Sequence, residues 1–409
     1  MNDTLFIYAP QFTPRMHYVL EFVLVENFGL KISTSTNEEA YRNTALPKIK
    51  LAKEKLSDEL VLLTDEILTE NTIRAKLDYS ILSPLSKIFF WLSRYEEYFA
   101  TANEFDQHQR FLGSDLDYSI PQVDELVEKI RTELQTFYPN LKFKTKTFRQ
   151  LNTHDVDFVW KYLHHGFKKN FLSLIKNFVS GNWQECKLQI QVLSNRKLDP
   201  YDKFQYLKTL AAQHQVESLY FWLLGKGTRY DKNLSANNRA HRRLIQEVAQ
   251  YANIGIHPSY ASSAEANILA AEIRELESIL GKKITRSRQH FIKLHLPKTY
   301  RDLLQLAIKE DYSMGFAHRL GFRAGTSHDF WWYDLEKNQQ TDLRIYPFVA
   351  MDVTLRNYLQ LSPKDAILEL KNLKKLVKQY HGNFVCIFHQ SNFTNDWEDW
   401  KIVYESIFD

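Results

Sequence analysis

Chemistry-bearing residues in this chain gather where short apolar runs end. In "LNTHDVDFVW", residues 151–160, Asp155 and Asp157 stand two apart, so on a continuing strand both carboxylates share one face. Like charges that close raise one another's pKa, and the pair persists best beside a cation or with separate roles. A divalent metal would meet the first condition. Asp is also favoured where a helix begins, so the two also read as caps of the following helix or turn. His257 in "IGIHPSY" closes a second apolar run, as a metal ligand or as a hydrogen-bonded structural residue. His389 in "CIFHQSNF" closes the last run, as a general acid or base titrating near neutrality or as a loop histidine without a task. Arg288, His290 and Asp311 follow apolar runs as well.

Such residues act together only if the elements carrying them bring their ends to one place. From about residue 146, β-rich runs at 148–155, 217–224, 252–257, 284–288, 311–316, 343–348 and 383–389 alternate with amphipathic stretches. "SPKDAILELKNLKKLVKQY" predicts a helix opened by Ser362 with Pro363 at its first position, and "SAEANILAAEIRELESIL" predicts another. Repeated βα units predict a parallel sheet, and about seven of them a barrel with its chemistry at the C-terminal strand ends. Residues 1–145 open with a strand at 5–8 and a helix at 16–26, which predicts a smaller α/β domain ahead of a barrel domain over 146–409. In the smaller domain, "SRYEEY" (93–98) and "DQHQRF" (106–111) are polar enough to contribute to the site.

The order of these motifs resembles the polysaccharide deacetylases, the NodB-like carbohydrate esterases (family 4-like), over about residues 148–395. The N-terminal part resembles the extra domain of some bacterial members. The resemblance implies an irregular (β/α)7-type barrel and a metal-dependent hydrolase that removes acetyl from an N-acetylated sugar or polysaccharide precursor. In "THDVD" it implies Asp155 as catalytic base and Asp157 as metal ligand. The family's His-x-x-x-His is met in "HPSYA" by His257 and Ala261, so one ligand is missing. His290 in "RQHF" is the residue placed to substitute, whereas strand alternation turns His154 to the opposite face. Arg288 is implied to hold the base, Asp311 in "DYSMGF" to polarise the catalytic histidine, and His389 to act as general acid. The implied cofactor is a divalent metal, zinc first, which in catalytic sites keeps three protein ligands. In "GFRAGTSHDFWWYDL", Arg323, Trp331 and Trp332 are candidate substrate-binding residues, with core packing as the alternative for the aromatics. A barrel lacking the third ligand would instead be a non-catalytic carbohydrate-binding or scaffold protein.

Composition bounds the rest. With 44% hydrophobic and 25% charged residues the 409-residue chain is an ordinary folded one, long enough for two domains. Gly is scarce, at 12 residues, and no phosphate-cradling glycine motif occurs. Cys186 and Cys386 form no CxxC pair, and no basic leader or long apolar span is present, which predicts a cytoplasmic setting. Residues 161–210 hold nine Lys or Arg against three acidic residues, within a helical insertion at about 160–213. In it Phe167, Phe171, Leu174, Ile175 and Phe178 keep helical spacing with Lys168, Lys169 and Lys176 between them. Such a helix over 161–180 contacts an anionic membrane surface, or packs on the barrel with its lysines in water. No zinc-finger, RNP-like or helix-turn-helix signature accompanies the lysines, which argues against nucleic acid.

Overall fold

The computed structural model describes residues 3–55, 59–74, 77–226 and 228–409. β1 (Thr4–Tyr8), β2 (Lys31–Ser35), β3 (Lys48–Ala52) and β4 (Val61–Leu63) form a parallel sheet in the order β2-β1-β3-β4. In β3, Ile49 and Leu51 are buried while Lys48 and Lys50 are not, the period of two that a strand with one covered face requires. The helix Pro14–Leu20 starts where Thr13 accepts from the Met16 amide, with Pro14 in its first turn.

A second sheet has nine strands: β5 (Arg149–Val156), β6 (Glu217–Leu223), β7 (Asn253–His257), β8 (Arg286–Ser287), β9 (Glu310–Asp311), β10 (Phe330–Asp334), β11 (Gln339–Ile345), β12 (Ala350–Met351) and β13 (Asn383–His389). Their order is β10-β11-β9-β8-β7-β6-β5-β13-β12, parallel throughout except for β10 against β11. β5, β6 and β13 are buried on both faces; β6 and β13 accordingly read as near-continuous apolar runs, whereas β5 buries the polar Asn152, Thr153, His154 and Asp155, each hydrogen-bonded. Register sets His389 against Asp155 and His257 against Leu223, so the polar endings come level at one end of the sheet. The helix Pro363–Gln379 begins as its sequence predicts, with Ser362 accepting from the Asp365 amide.

The expected closed barrel is corrected: among the described residues this sheet is open, with β10 and β12 as its edges. Of the run at 343–348, expected to be a βα strand, residues 343–345 end the second arm of an antiparallel hairpin with β10, an arm that also pairs in parallel with β9, so the chain reverses where a further crossover was needed. The other edge, β12, is only two residues long. The β10 edge is covered from the N-terminal region, where Tyr18 Oη donates to the Trp331 carbonyl at 2.7 Å and the Phe89 ring packs on Tyr333 at 5.1 Å. Covering an edge in this way blocks its unpaired backbone groups from other chains. One apolar core runs from the first sheet into the second. Among the described residues no helix is long and apolar enough to cross a membrane.

Candidate metal centre

β5 carries Asp155 at its buried end and Asp157 immediately beyond it. Around Asp157 stand three imidazoles, each from a different strand end. His257 Nε2 lies 3.4 Å from Asp157 Oδ1, and His290 Nε2 and His389 Nε2 lie 3.6 and 3.7 Å from Asp157 Oδ2. Each ring is fixed through its other nitrogen. His257 Nδ1 meets the Arg288 carbonyl at 2.6 Å, His290 Nδ1 meets Asp231 Oδ1 at 2.9 Å, and His389 Nδ1 meets Asp352 Oδ1 at 2.8 Å. A hydrogen-bonded Nδ1 leaves the Nε2 lone pair free as a ligand, the usual arrangement behind metal-bound histidine.

Asp157, His257 and His290 each offer one atom within 4.8 Å of the others, which makes them a group able to hold a metal ion. Two observations test the fit. Asp157 Oδ1 is buried and has no hydrogen-bond partner, a costly state for a carboxylate unless a cation meets it. The 3.4 and 3.6 Å approaches exceed ordinary hydrogen bonds. They are close to the ~3.3 Å that separates ligand atoms around a tetrahedral ion with ~2.0–2.1 Å bonds. The donor set, two imidazoles and a carboxylate, suits zinc. His290 thus stands with His257 and Asp157, whereas Ala261 lines a different cavity. His154 turns away behind the sheet, with Nδ1 on the Phe388 carbonyl.

Asp155 is held at the same point by Arg288, whose Nη1 donates to Oδ1 at 3.0 Å. Arg288 is itself fixed by Nε on the Tyr312 carbonyl at 3.0 Å, with its guanidinium 4.5 Å above the Phe221 ring. That ring has room because position 255 is glycine: a Cβ there would come within 2.6 Å of it. Asp155 Oδ2 makes a 3.7 Å approach to His257 Nε2. The turn carrying His290 continues through Phe291 and Ile292, both at positive φ (61° and 54°), a region such side chains rarely occupy outside functional sites.

Electrostatics follow from this clustering. Burial alone would push the Asp157 carboxyl up; His290, then His257 and His389, override it and hold the group well below the usual range. Burial also pulls the two imidazoles down, but Asp157 and Asp231 push His290 up to about 9, and Asp352, Asp157 and Asp155 push His389 up to about 10. A carboxylate with a free oxygen beside a protonated imidazole can take a proton on one side and give one on the other.

Several expectations are corrected. Asp311 does not polarise His389; its carboxylate accepts from Ser313 N and Oγ at 2.8 and 2.9 Å, and burial pushes it up to about 6. Asp352 takes that place, accepting from both the ring and the amide of His389. Arg323 is fully engaged with Glu97 and the Gly315 carbonyl, outside the cavity. Trp331 and Trp332 lie on β10, the first under the Arg344 guanidinium at 4.8 Å and the second buried against Tyr300 at 5.3 Å.

The cavity facing these groups measures about 180 Å³. Phe291, Ile292, Met351 and Val353 form its apolar wall, and Arg110, from the "DQHQRF" segment, is part of its lining. Arg110 is held by Asp106, by the Tyr358 hydroxyl at 2.9 Å and by the Phe291 carbonyl at 3.3 Å.

Residues 5–139 match DUF7033, a family of unknown function. No curated protein matches the chain. Among solved structures, the fold is similar to a protein from Mycobacterium smegmatis titled a polysaccharide deacetylase, at 14% identity and a TM-score of 0.41, over 64% of this chain and 82% of that one. A Pseudomonas aeruginosa PAO1 protein of the same description gives 11% identity and 0.36, over 50% and 65%. A mutant of a CE4 family pseudoenzyme with restored enzymatic activity gives 11% and 0.26, over 64% and 62%. These likenesses are remote.

Asp231 and Asp352 were not singled out from the sequence, and Arg110 was named only within the candidate segment "DQHQRF". Of the two acids, Asp352 left a usable sign, since it follows the apolar "FVAM".

Proposed function

We propose that this cavity is the active site of a metal-dependent hydrolase that cleaves an acetamido group from an N-acetylated sugar or polysaccharide precursor. The observation that carries the reading is the convergence of three Nδ1-tethered histidines on Asp157, whose buried Oδ1 lacks a partner. Asp157, His257 and His290 are the proposed ligands of a divalent cation, zinc first, which when bound would supply Lewis acidity and lower the pKa of water.

The chain's own groups divide the remaining work. Asp155, oriented by Arg288, takes the proton of the attacking water through its free oxygen. His389, kept protonated at neutral pH by Asp352, gives a proton to the departing nitrogen. A leaving amine needs that proton, which favours amide hydrolysis over chemistry with a weakly basic leaving group. A cavity of about 180 Å³ with a short apolar wall suits one acetylated sugar unit at the reacting position. Residues 146–409 would form the catalytic domain, and residues 1–145 a domain that completes its mouth through Arg110.

The test is metal content and acetate release together. Zinc-supplemented protein should retain about one equivalent of divalent metal and release acetate from N-acetylglucosamine oligomers. Retention below about a tenth of an equivalent after supplementation would leave the hydrolase reading without support.

A further inference from the structure

The insertion that leaves the metal-binding end of β5 folds as a helical hairpin, Phe167–Val179 and Trp183–Leu193, closed by residues 180–182. Its arms run antiparallel, since Gln189 Nε2 donates to the Asn170 carbonyl at 2.8 Å while Cys186 Sγ approaches the Leu174 carbonyl at 3.8 Å.

Its amphipathic pattern faces the wrong way for a helix packed on a protein. Asn170, Ser173 and Asn177 are half-buried on the inner side of the first arm with Leu174 as the one apolar residue beside them, while Phe167, Phe171, Ile175 and Phe178 point into solvent. No residue of that arm is buried, and Phe167 and Val179 are 86% and 79% exposed. Eighteen large hydrophobic side chains are exposed among the described residues, and ten of them lie between Phe167 and Leu198, so this is a patch and not ordinary scatter. Packing on the sheet, which the sequence left open, is therefore not how this face is used.

We propose that the hairpin docks on an anionic phospholipid surface, with Phe171, Phe178 and Trp183 entering the headgroup boundary. Charge decides the partner. Lys168, Lys169 and Lys176 flank the apolar stripe and make no salt bridge among the described residues; the hairpin's one acid, Glu185, is already paired with Lys161. Lysine is depleted in protein interfaces, whereas aromatic residues beside lysines are the composition of helices lying in a bilayer interface. Phe178 and Trp183 meet edge to face at 4.8 Å across the turn, so the tip presents one continuous aromatic surface. Because the hairpin leaves the chain ten residues after Asp157, docking would bring the metal-binding end of the sheet toward the lipid.

The inference stands apart from the proposed hydrolysis, and its experiment uses no substrate. Full-length protein is sedimented with vesicles of phosphatidylglycerol and phosphatidylcholine, or of phosphatidylcholine alone. Expected is about tenfold stronger partition to the anionic vesicles, weakened by high salt. Phe171→Ser with Phe178→Ser and Trp183→Ser should abolish binding, and Lys168→Glu with Lys169→Glu and Lys176→Glu should erase the anionic preference. Both variants alter exposed side chains, so melting temperature and metal content should match the parent and certify the fold. Parent protein remaining in the supernatant with both vesicles overturns the proposal, as does the serine variant binding like the parent. So does a parent dimer in sedimentation equilibrium that the serine variant splits, which would assign the patch to a second copy of this chain.

Discussion

Two buried arginine–carboxylate pairs in this molecule look alike by burial and differ in what they leave open. Arg323 places all three nitrogens, two on Glu97 and one on the Gly315 carbonyl, and Glu97 also accepts from Arg94 Nε at 2.7 Å. Arg288 bonds Asp155 through one nitrogen, and its Nη2 has no partner. Asp155 keeps one oxygen for the cavity, with Asp157 and its orphaned oxygen beside it. The first pair joins the N-terminal region to the large sheet. Arg94 Nη1, beside the first pair, is unpartnered too but lies away from this cavity; the second pair's carboxylate faces it, and chemistry is to be expected where leftover valence meets open space, not wherever charge is buried.

The contrast is broken most severely at the cavity. Asp157→Ala should remove bound metal and lower turnover by at least about a thousandfold while the fold survives, since it deletes a carboxylate that faces the cavity with one buried oxygen unpartnered. Asp155→Asn should cost turnover on a similar scale, about 10²–10⁴-fold, yet keep the metal. Metal analysis beside steady-state kinetics separates them, and equal metal loss in both would make Asp155 a ligand.

At the saturated pair the damage should fall on stability. Glu97→Gln leaves two buried arginines under-compensated and should cost about 3–5 kcal/mol in denaturant unfolding, with metal content unchanged. Burial alone would raise the Glu97 carboxyl, but Arg323, then Arg94, override it and hold it below its usual range. Its contribution is therefore complete above the ordinary glutamate pKa of about 4.3 and is lost as pH falls through the lower folded value. A unfolding profile that is flat across that acidic window in the parent would contradict this assignment.

The next effect is smaller and concerns how the site is tuned. Burial pulls His290 down, but Asp157 and Asp231 push it up to about 9, so without metal it is protonated at pH 7. Ligation needs the neutral ring, so zinc uptake at pH 7 should release about one proton and tighten as pH rises toward 9. Calorimetry in buffers of different ionisation enthalpy counts that proton. Asp231→Asn should weaken metal binding about 10–100-fold and reduce the proton count; an unchanged count would mean that Asp231 does not govern His290.

What was legible in the sequence follows the same contrast. His257 and His389 could be found because each ends an apolar strand, and such strands in a parallel sheet announce themselves; Asp155 and Asp157 stood out by their spacing of two at the end of a strand. Their partners were harder to find: Asp231 sits in a loop with no apolar run directly before it, and Asp352 follows an apolar run of four residues, only two of them strand. Periodicity found the helix at Phe167–Val179, but periodicity gives a stripe without saying whether protein or solvent faces it. Both orientations were open, and here Asn170 and Asn177 turn inward while four of the five apolar residues of the stripe turn outward. The barrel was over-read because the run at 343–348 carries strand propensity, and propensity does not distinguish a hairpin arm from a βα strand.

The mildest test concerns Trp331, which the sequence offered as a sugar platform and the structure puts at the β10 edge. Its ring lies under Arg344, and that guanidinium is also held by Glu26 at 2.9 and 3.0 Å and by Asp329 at 2.6 Å. Trp331→Ala removes the ring while leaving Arg344 its two carboxylates, so the loss should be about 1 kcal/mol, the scale of a partly exposed cation–π contact. Turnover and KM should stay within about twofold, because nothing in the cavity touches this ring. A KM raised about tenfold at unchanged stability would return Trp331 to the substrate path and mean that sugar chains run from the metal centre to the sheet's far edge.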